Sequence, residues 1–124
     1  MQDMKKYYAF RKAVRNLYQH DTIYGDLCGS LLYIRDKNRC INAMSIDIPN
    51  YNIEVEFDGN TDAKKFEKII NDILVKISSF MWDNIDNIVS FSSGEISRED
   101  AEYIITYNPF CDTSIIGKTL TIIL

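Results

Sequence analysis

Between Thr61 and Val89 apolar residues recur at every third or fourth position: Phe66, Ile69, Ile70, Ile73, Leu74 and Ile77, continuing through Phe80, Met81, Ile85, Ile88 and Val89. This is the α-helical period, and it sets Lys64, Lys65, Lys68, Asn71, Asp72 and Lys76 on the opposite side. Thr61 is the expected N-cap, with Asp62 at the positive end of the helix dipole. A helix with so wide an apolar stripe must bury it on another element. That element is legible just upstream. In YNIEVEFDG (51–59), Tyr51, Ile53, Val55 and Phe57 alternate with Asn52, Glu54, Glu56 and Asp58, the pattern of a strand with one solvated face. The expectation is an α+β fold, with a mainly antiparallel sheet packed against a long amphipathic helix.

The flanking segments extend this layout. Met4, Tyr7, Phe10, Val14 and Leu17 mark an N-terminal helix, with Lys5, Arg11, Lys12 and Arg15 mostly off its apolar face. LCGSLLYIRD (27–36) and CINAMSIDI (40–48) read as a β-hairpin joined by Asp36-Lys37-Asn38-Arg39, with Ile46 and Ile48 alternating with Ser45 and Asp47. Ser97-Arg98-Glu99-Asp100 has capping-box spacing and opens a short helix in the C-terminal half, ended by Asn108-Pro109. The β-branched ending SIIGKTLTIIL reads as one last strand. Residues 1–124 are expected to form a single globular domain.

Composition narrows the function. With 46% hydrophobic and 26% charged residues the chain is neither disordered nor membrane-embedded. No apolar run reaches the roughly 18–20 residues that span a bilayer. The N-terminus lacks the apolar stretch and cleavage site of a secretory signal. Cys28, Cys40 and Cys111 are odd in number and widely spaced, as reduced thiols in a cytoplasmic protein would be. Net charge is −4, unevenly spread. Residues 1–20 hold Lys5, Lys6, Arg11, Lys12 and Arg15 against Asp3, while the remainder holds nine basic and seventeen acidic side chains. An acidic body repels phosphate backbones, so direct nucleic-acid binding is not expected; it attracts a cationic protein.

Signatures of catalysis are missing from the sequence. The sole histidine, His20, precedes Asp21 and is expected to neutralise the negative end of the first helix. No cysteine carries a nucleophile signature, and C-x-x-C spacing is absent. Gly117-Lys118-Thr119 imitates the end of a phosphate-binding loop, but Asp112 stands where the first glycine belongs. Catalytic, metal and cofactor residues are therefore expected to be none. An interaction surface remains. MWDNIDN (81–87) sets the only tryptophan among carboxylates, and Trp82, Asp83, Asp86, Glu95, Glu99, Asp100 and Glu102 are the candidate partner-binding residues. Trp82 is expected to be mostly buried, with Asp83 and Asp86 exposed around it.

Over roughly residues 51–124 the layout resembles the small single-domain immunity proteins of bacterial toxin systems, including contact-dependent inhibition. The ending ITYNPFCDTSIIGKTLTIIL is similar to the tail of bacterial families associated with such loci, in which a polar turn precedes a Gly-polar-Ser/Thr strand, here Gly117-Lys118-Thr119-Leu120-Thr121-Ile122. The resemblance implies a non-enzymatic cytoplasmic inhibitor that covers a cationic toxin domain, such as a nuclease, through acidic groups. The alternative is a structural or adaptor module assembling through the basic amphipathic N-terminal helix.

Overall fold

The computed structural model describes residues 4–47 and 49–124, so the expected place of Ile48 in a strand lies outside the described residues. The elements run α1 (Met4–Leu17), α2 (Asp21–Lys37), β1 (Ile41–Asp47), β2 (Asn52–Phe57), α3 (Ala63–Asp83), α4 (Ile85–Phe91), α5 (Arg98–Tyr107), β3 (Asp112–Ile116) and β4 (Thr119–Ile123). The four strands form one antiparallel sheet in the order β1-β2-β4-β3. This is the expected α+β class.

Strand alternation decides which face meets the helices. Ile53, Val55 and Phe57 of β2 and Leu120 and Ile122 of β4 are buried, as is Leu124 just beyond. The residues between them are exposed or half-buried. The helices thus lie on one side of the sheet and the other side is open. From α3, Ile69, Ile70, Ile73, Ile77, Phe80 and Met81 enter the core, and Phe66 meets Phe57 edge-on at 4.8 Å. Lys118 sits over the other aromatic of that corner, its Nζ 4.3 Å from the Phe66 ring centre. Phe10, Ala13, Val14 and Leu17 of α1 are fully buried, and α1 packs mainly on α4. Its apolar stripe is therefore used within the domain.

Four expectations need correction. Residues 27–36 are helix, not strand. Leu27, Leu31 and Ile34 fall at helical spacing and are the buried residues of the segment, whereas Tyr33 is exposed. The exposed Gly25 and Gly29 weaken the helical signal by about 1 kcal/mol each, and core burial of that stripe overrides them. The hairpin is instead β1–β2. The long apolar run ends as a helix at Asp83, because Asn84 donates its side-chain amide to the Phe80 carbonyl (2.9 Å) and takes φ −110, ψ 19. A second short helix, α4, then carries Ile85 and Ile88 into the core. The N-cap of α3 is Asp62, whose carboxylate accepts the Lys65 N–H (3.3 Å); Thr61 Oγ1 instead donates to the Asp58 carbonyl (2.6 Å). The C-terminal stretch is a hairpin rather than one strand: Gly117, at φ 62, supplies the left-handed first position that a two-residue turn of this kind favours.

The capping box at α5 is complete. Ser97 Oγ accepts the Asp100 N–H (3.1 Å), and the Asp100 carboxylate accepts the Ser97 N–H (2.9 Å). Ser97→Ala should therefore cost about 1 kcal/mol. Ile73→Ala, at a fully buried position, should cost about 3 kcal/mol. Urea unfolding of the two variants against wild type checks both, and equal losses would contradict this description of the core.

Candidate interaction surfaces

The structure places five of the seven candidate residues in three settings and leaves Glu95 and Glu99 apart from them. Trp82 is 39% exposed, so the expectation of a mostly buried indole is corrected. On α3 the core face passes through Ile77, Phe80 and Met81; Trp82, one residue further, is rotated about 100° off it. Asn84 then ends the helix, leaving the indole at the margin. Asp83 is exposed beside Trp82 and lines a polar groove of about 380 Å³ with Asp26, Ser30 and Lys76.

The second setting is the α4–α5 corner. Arg98 bridges it, paired with Asp86 on α4 and with Glu102 on its own helix at 3.4 Å. These two carboxylates thus share the single positive charge of Arg98. The third is the capping box, where Asp100 also accepts from Lys6 of α1 (3.1 Å). The Ser97 backbone N–H, helped by the Lys6 ammonium, holds the Asp100 carboxyl below its usual range. Glu95 and Glu99 are exposed and have no ion-pair partner among the described residues. Asp83, Glu95 and Glu99 are therefore the uncompensated charges of the set.

The open face of the sheet forms a second acidic surface, which strand periodicity had marked only as wet. The pairings align Ala43–Glu56–Thr119–Ile116, then Ser45–Glu54–Thr121–Ser114, then Asp47–Asn52–Ile123–Asp112 across the four strands. Four carboxylates share these rows with hydroxyls and aliphatics, and no Lys or Arg is among them. At one corner Ile116 is 79% exposed. The adjoining edge is also free. Phe57 N–H donates to the Lys118 carbonyl (2.9 Å) and Leu124 N–H to the Tyr51 carbonyl (2.8 Å). Even-numbered residues of β4 therefore bond to β2 and odd-numbered ones to β3, which turns the backbone groups of Thr113 and Ile115 outward. Asp112 Oδ1 accepts the Thr113 N–H (2.9 Å), covering one of these donors. No bulge, proline or lysine interrupts β3, whereas β1 at the opposite edge has a bulge between Ile41 and Ala43.

The remaining chemistry-bearing residues are dispersed. His20 is the N-cap residue of α2, its backbone N–H donates to the Leu17 carbonyl at the end of α1 (3.2 Å), and its ring stacks on Phe91 with ring centres 4.9 Å apart. All three cysteines are free. Burial, reinforced by a hydrogen bond with Cys28, pushes the Tyr24 hydroxyl up to about 12. Among the described residues no group of three or more His, Cys, Asp or Glu side chains is placed to hold a metal ion, and no helix is long and apolar enough to cross a membrane. No family model matches the chain, and no curated protein or solved structure is significantly similar to it.

A depressed carboxylate stabilises the folded state above its unfolded pKa, and that contribution is lost as pH falls through the folded pKa. For Asp100 the window lies below about pH 4. Asp100→Asn should thus flatten the acid limb of the stability–pH curve there while leaving its shape near neutrality unchanged, as thermal melts across pH will read.

Proposed function

We propose that the chain is a cytoplasmic, non-enzymatic immunity protein that binds and neutralises a bacterial toxin effector, such as a nuclease, through its acidic surface. The observation that carries this reading is the exposure of the carboxylates Asp83, Glu95 and Glu99, which have no ion-pair partner among the described residues, together with the exposed Trp82 next to Asp83. Carboxylates of this kind raise the encounter rate with a cationic surface, and a rigid aromatic supplies the packed anchor that tight binding requires. The open acidic sheet face and its free β3 edge extend the surface available to a partner. Assembly through the apolar side of α1 is not favoured, since that side is buried in the domain's own core.

The test is capture followed by neutralisation. The tagged chain should retain a basic protein from its host's lysate that arrests growth when expressed alone and is harmless when co-expressed with the chain. Asp83→Lys combined with Glu99→Lys should weaken the purified pair about tenfold or more at physiological salt, with an unchanged melting curve. Glu54→Lys with Glu56→Lys tests the sheet face in the same way. A captured partner that is not toxic, or full affinity in both double variants, would overturn the proposal.

A further inference from the structure

The basic residues of α1 are not spread evenly. Tyr8, Arg11, Lys12, Arg15 and Gln19 of α1 and its continuation line a groove of about 460 Å³ whose far wall is Tyr51. Among the described residues no carboxylate side chain lines it, on a chain whose net charge is −4. At its base Arg11 is only 5% exposed. Its Nη2 donates to the Asn108 (3.0 Å) and Pro109 carbonyls, while Nε and Nη1 are buried without a hydrogen-bond partner. This guanidinium has no carboxylate partner among the described residues and rests on carbonyl dipoles and the faces of the Tyr7 and Phe10 rings. Burial lowers its pKa from the ordinary value, the direction expected of a cation lacking an anion.

The walls are pre-set. Arg15 donates from Nε to the Leu124 carbonyl (3.2 Å) and lies 4.9 Å over the Tyr51 ring, while Gln19 Nε2 donates to the Tyr51 hydroxyl (2.8 Å). Tyr51 itself, in the turn before β2, is at φ 53, a left-handed conformation a bulky residue rarely adopts. Lys12 is exposed at the rim, and neither it nor Arg15 has an ion-pair partner among the described residues. Tyr8, 63% exposed, offers an aromatic face beside them.

We propose that this groove binds the phosphate monoester of a small aromatic molecule. Lys12 and Arg15 take the phosphate, the buried charge of Arg11 adds its field from below, and the Tyr8 ring packs on the organic part. A phosphate monoester carries close to two negative charges near neutral pH, whereas a carboxylate carries one, so convergent cations favour the former. Arginine suits the phosphate geometry, and the exposed tyrosine adds apolar contact that inorganic phosphate cannot use.

Calorimetric titration of the full chain with AMP, inorganic phosphate, adenosine and acetate tests the site, with ¹⁵N-resolved NMR locating the response. The expected result is saturable AMP binding at least about tenfold tighter than inorganic phosphate, with shifts confined to α1 and Tyr51, and no saturation with adenosine or acetate. Binding should weaken as salt rises. Lys12→Glu should reduce AMP affinity about tenfold or more, and Tyr8→Ala should bring AMP down to the level of phosphate; both positions are exposed, so the fold is retained. No saturable AMP binding, equal binding of AMP and inorganic phosphate, or affinity unchanged in Lys12→Glu would overturn the proposal. None of the acidic candidate residues lines this groove, so such a failure is distinct from failure of toxin neutralisation.

Discussion

Arg11 joins parts of the chain that are almost a full sequence length apart. Its guanidinium reaches from α1 to the carbonyls of Asn108 and Pro109, where α5 ends and the chain turns toward β3. A helix C-terminus carries partial negative charge, so the cation finds dipoles there instead of a carboxylate. The Tyr7 and Phe10 rings, each 5.0 Å from its central carbon, add further electrostatic support. One turn along α1, Arg15 reaches the Leu124 carbonyl beyond β4. Two cations at i and i+4 on one helix thus hold both the exit from α5 and the end of a central strand. The same helix packs on α4 and α5 and buries Phe10, Val14 and Leu17.

What could be read in the sequence is what depends on neighbours a few residues away. The alternation of 51–57, the stripe of 66–81 and the Ser97–Asp100 capping box are local patterns, and each became the element expected except at Tyr51, which falls in the turn before β2. The errors arose where tertiary context outweighed local signals. In α2 the buried Leu27, Leu31 and Ile34 are embedded among Leu32, Tyr33 and two glycines, so the helical stripe is diluted by apolar residues that do not enter the core. In the C-terminal hairpin the β-branched run continues on both sides of a two-residue turn, leaving Gly117 as the only punctuation. Asn84 splits the long apolar run with a side-chain bond to the backbone four residues earlier, which apolar periodicity cannot register.

The same distinction governs the sites. Acidic residues near Trp82 could be counted from sequence, but their pairing could not. Arg98 engages Asp86 and Glu102, while Lys6, far away in sequence, engages Asp100. The sheet-face carboxylates were identified individually, and only strand order brings Asp47 and Asp112 from opposite edges onto the face that carries Glu54 and Glu56. Arg11 and Arg15 read as stems flanking an apolar stripe. Their partners lie 97 to 109 positions away, beyond the reach of any periodicity.

Net charge is therefore a poor description of this molecule. At physiological ionic strength electrostatic influence decays over about 8 Å, so the acidic surfaces and the cationic groove of α1 act on ligands as largely separate fields. For a cationic partner, the exposed carboxylates govern approach and orientation more than final affinity. Residence time must come from contacts that exclude water, for which the exposed Trp82 beside Asp83 and the exposed Ile116 on the acidic sheet face are candidate apolar groups. Acidity that is already paired internally at Asp86 and Asp100 links α4 and α1 to α5, and Glu102 pairs within α5. The unpaired remainder is the part left for a partner to recognise.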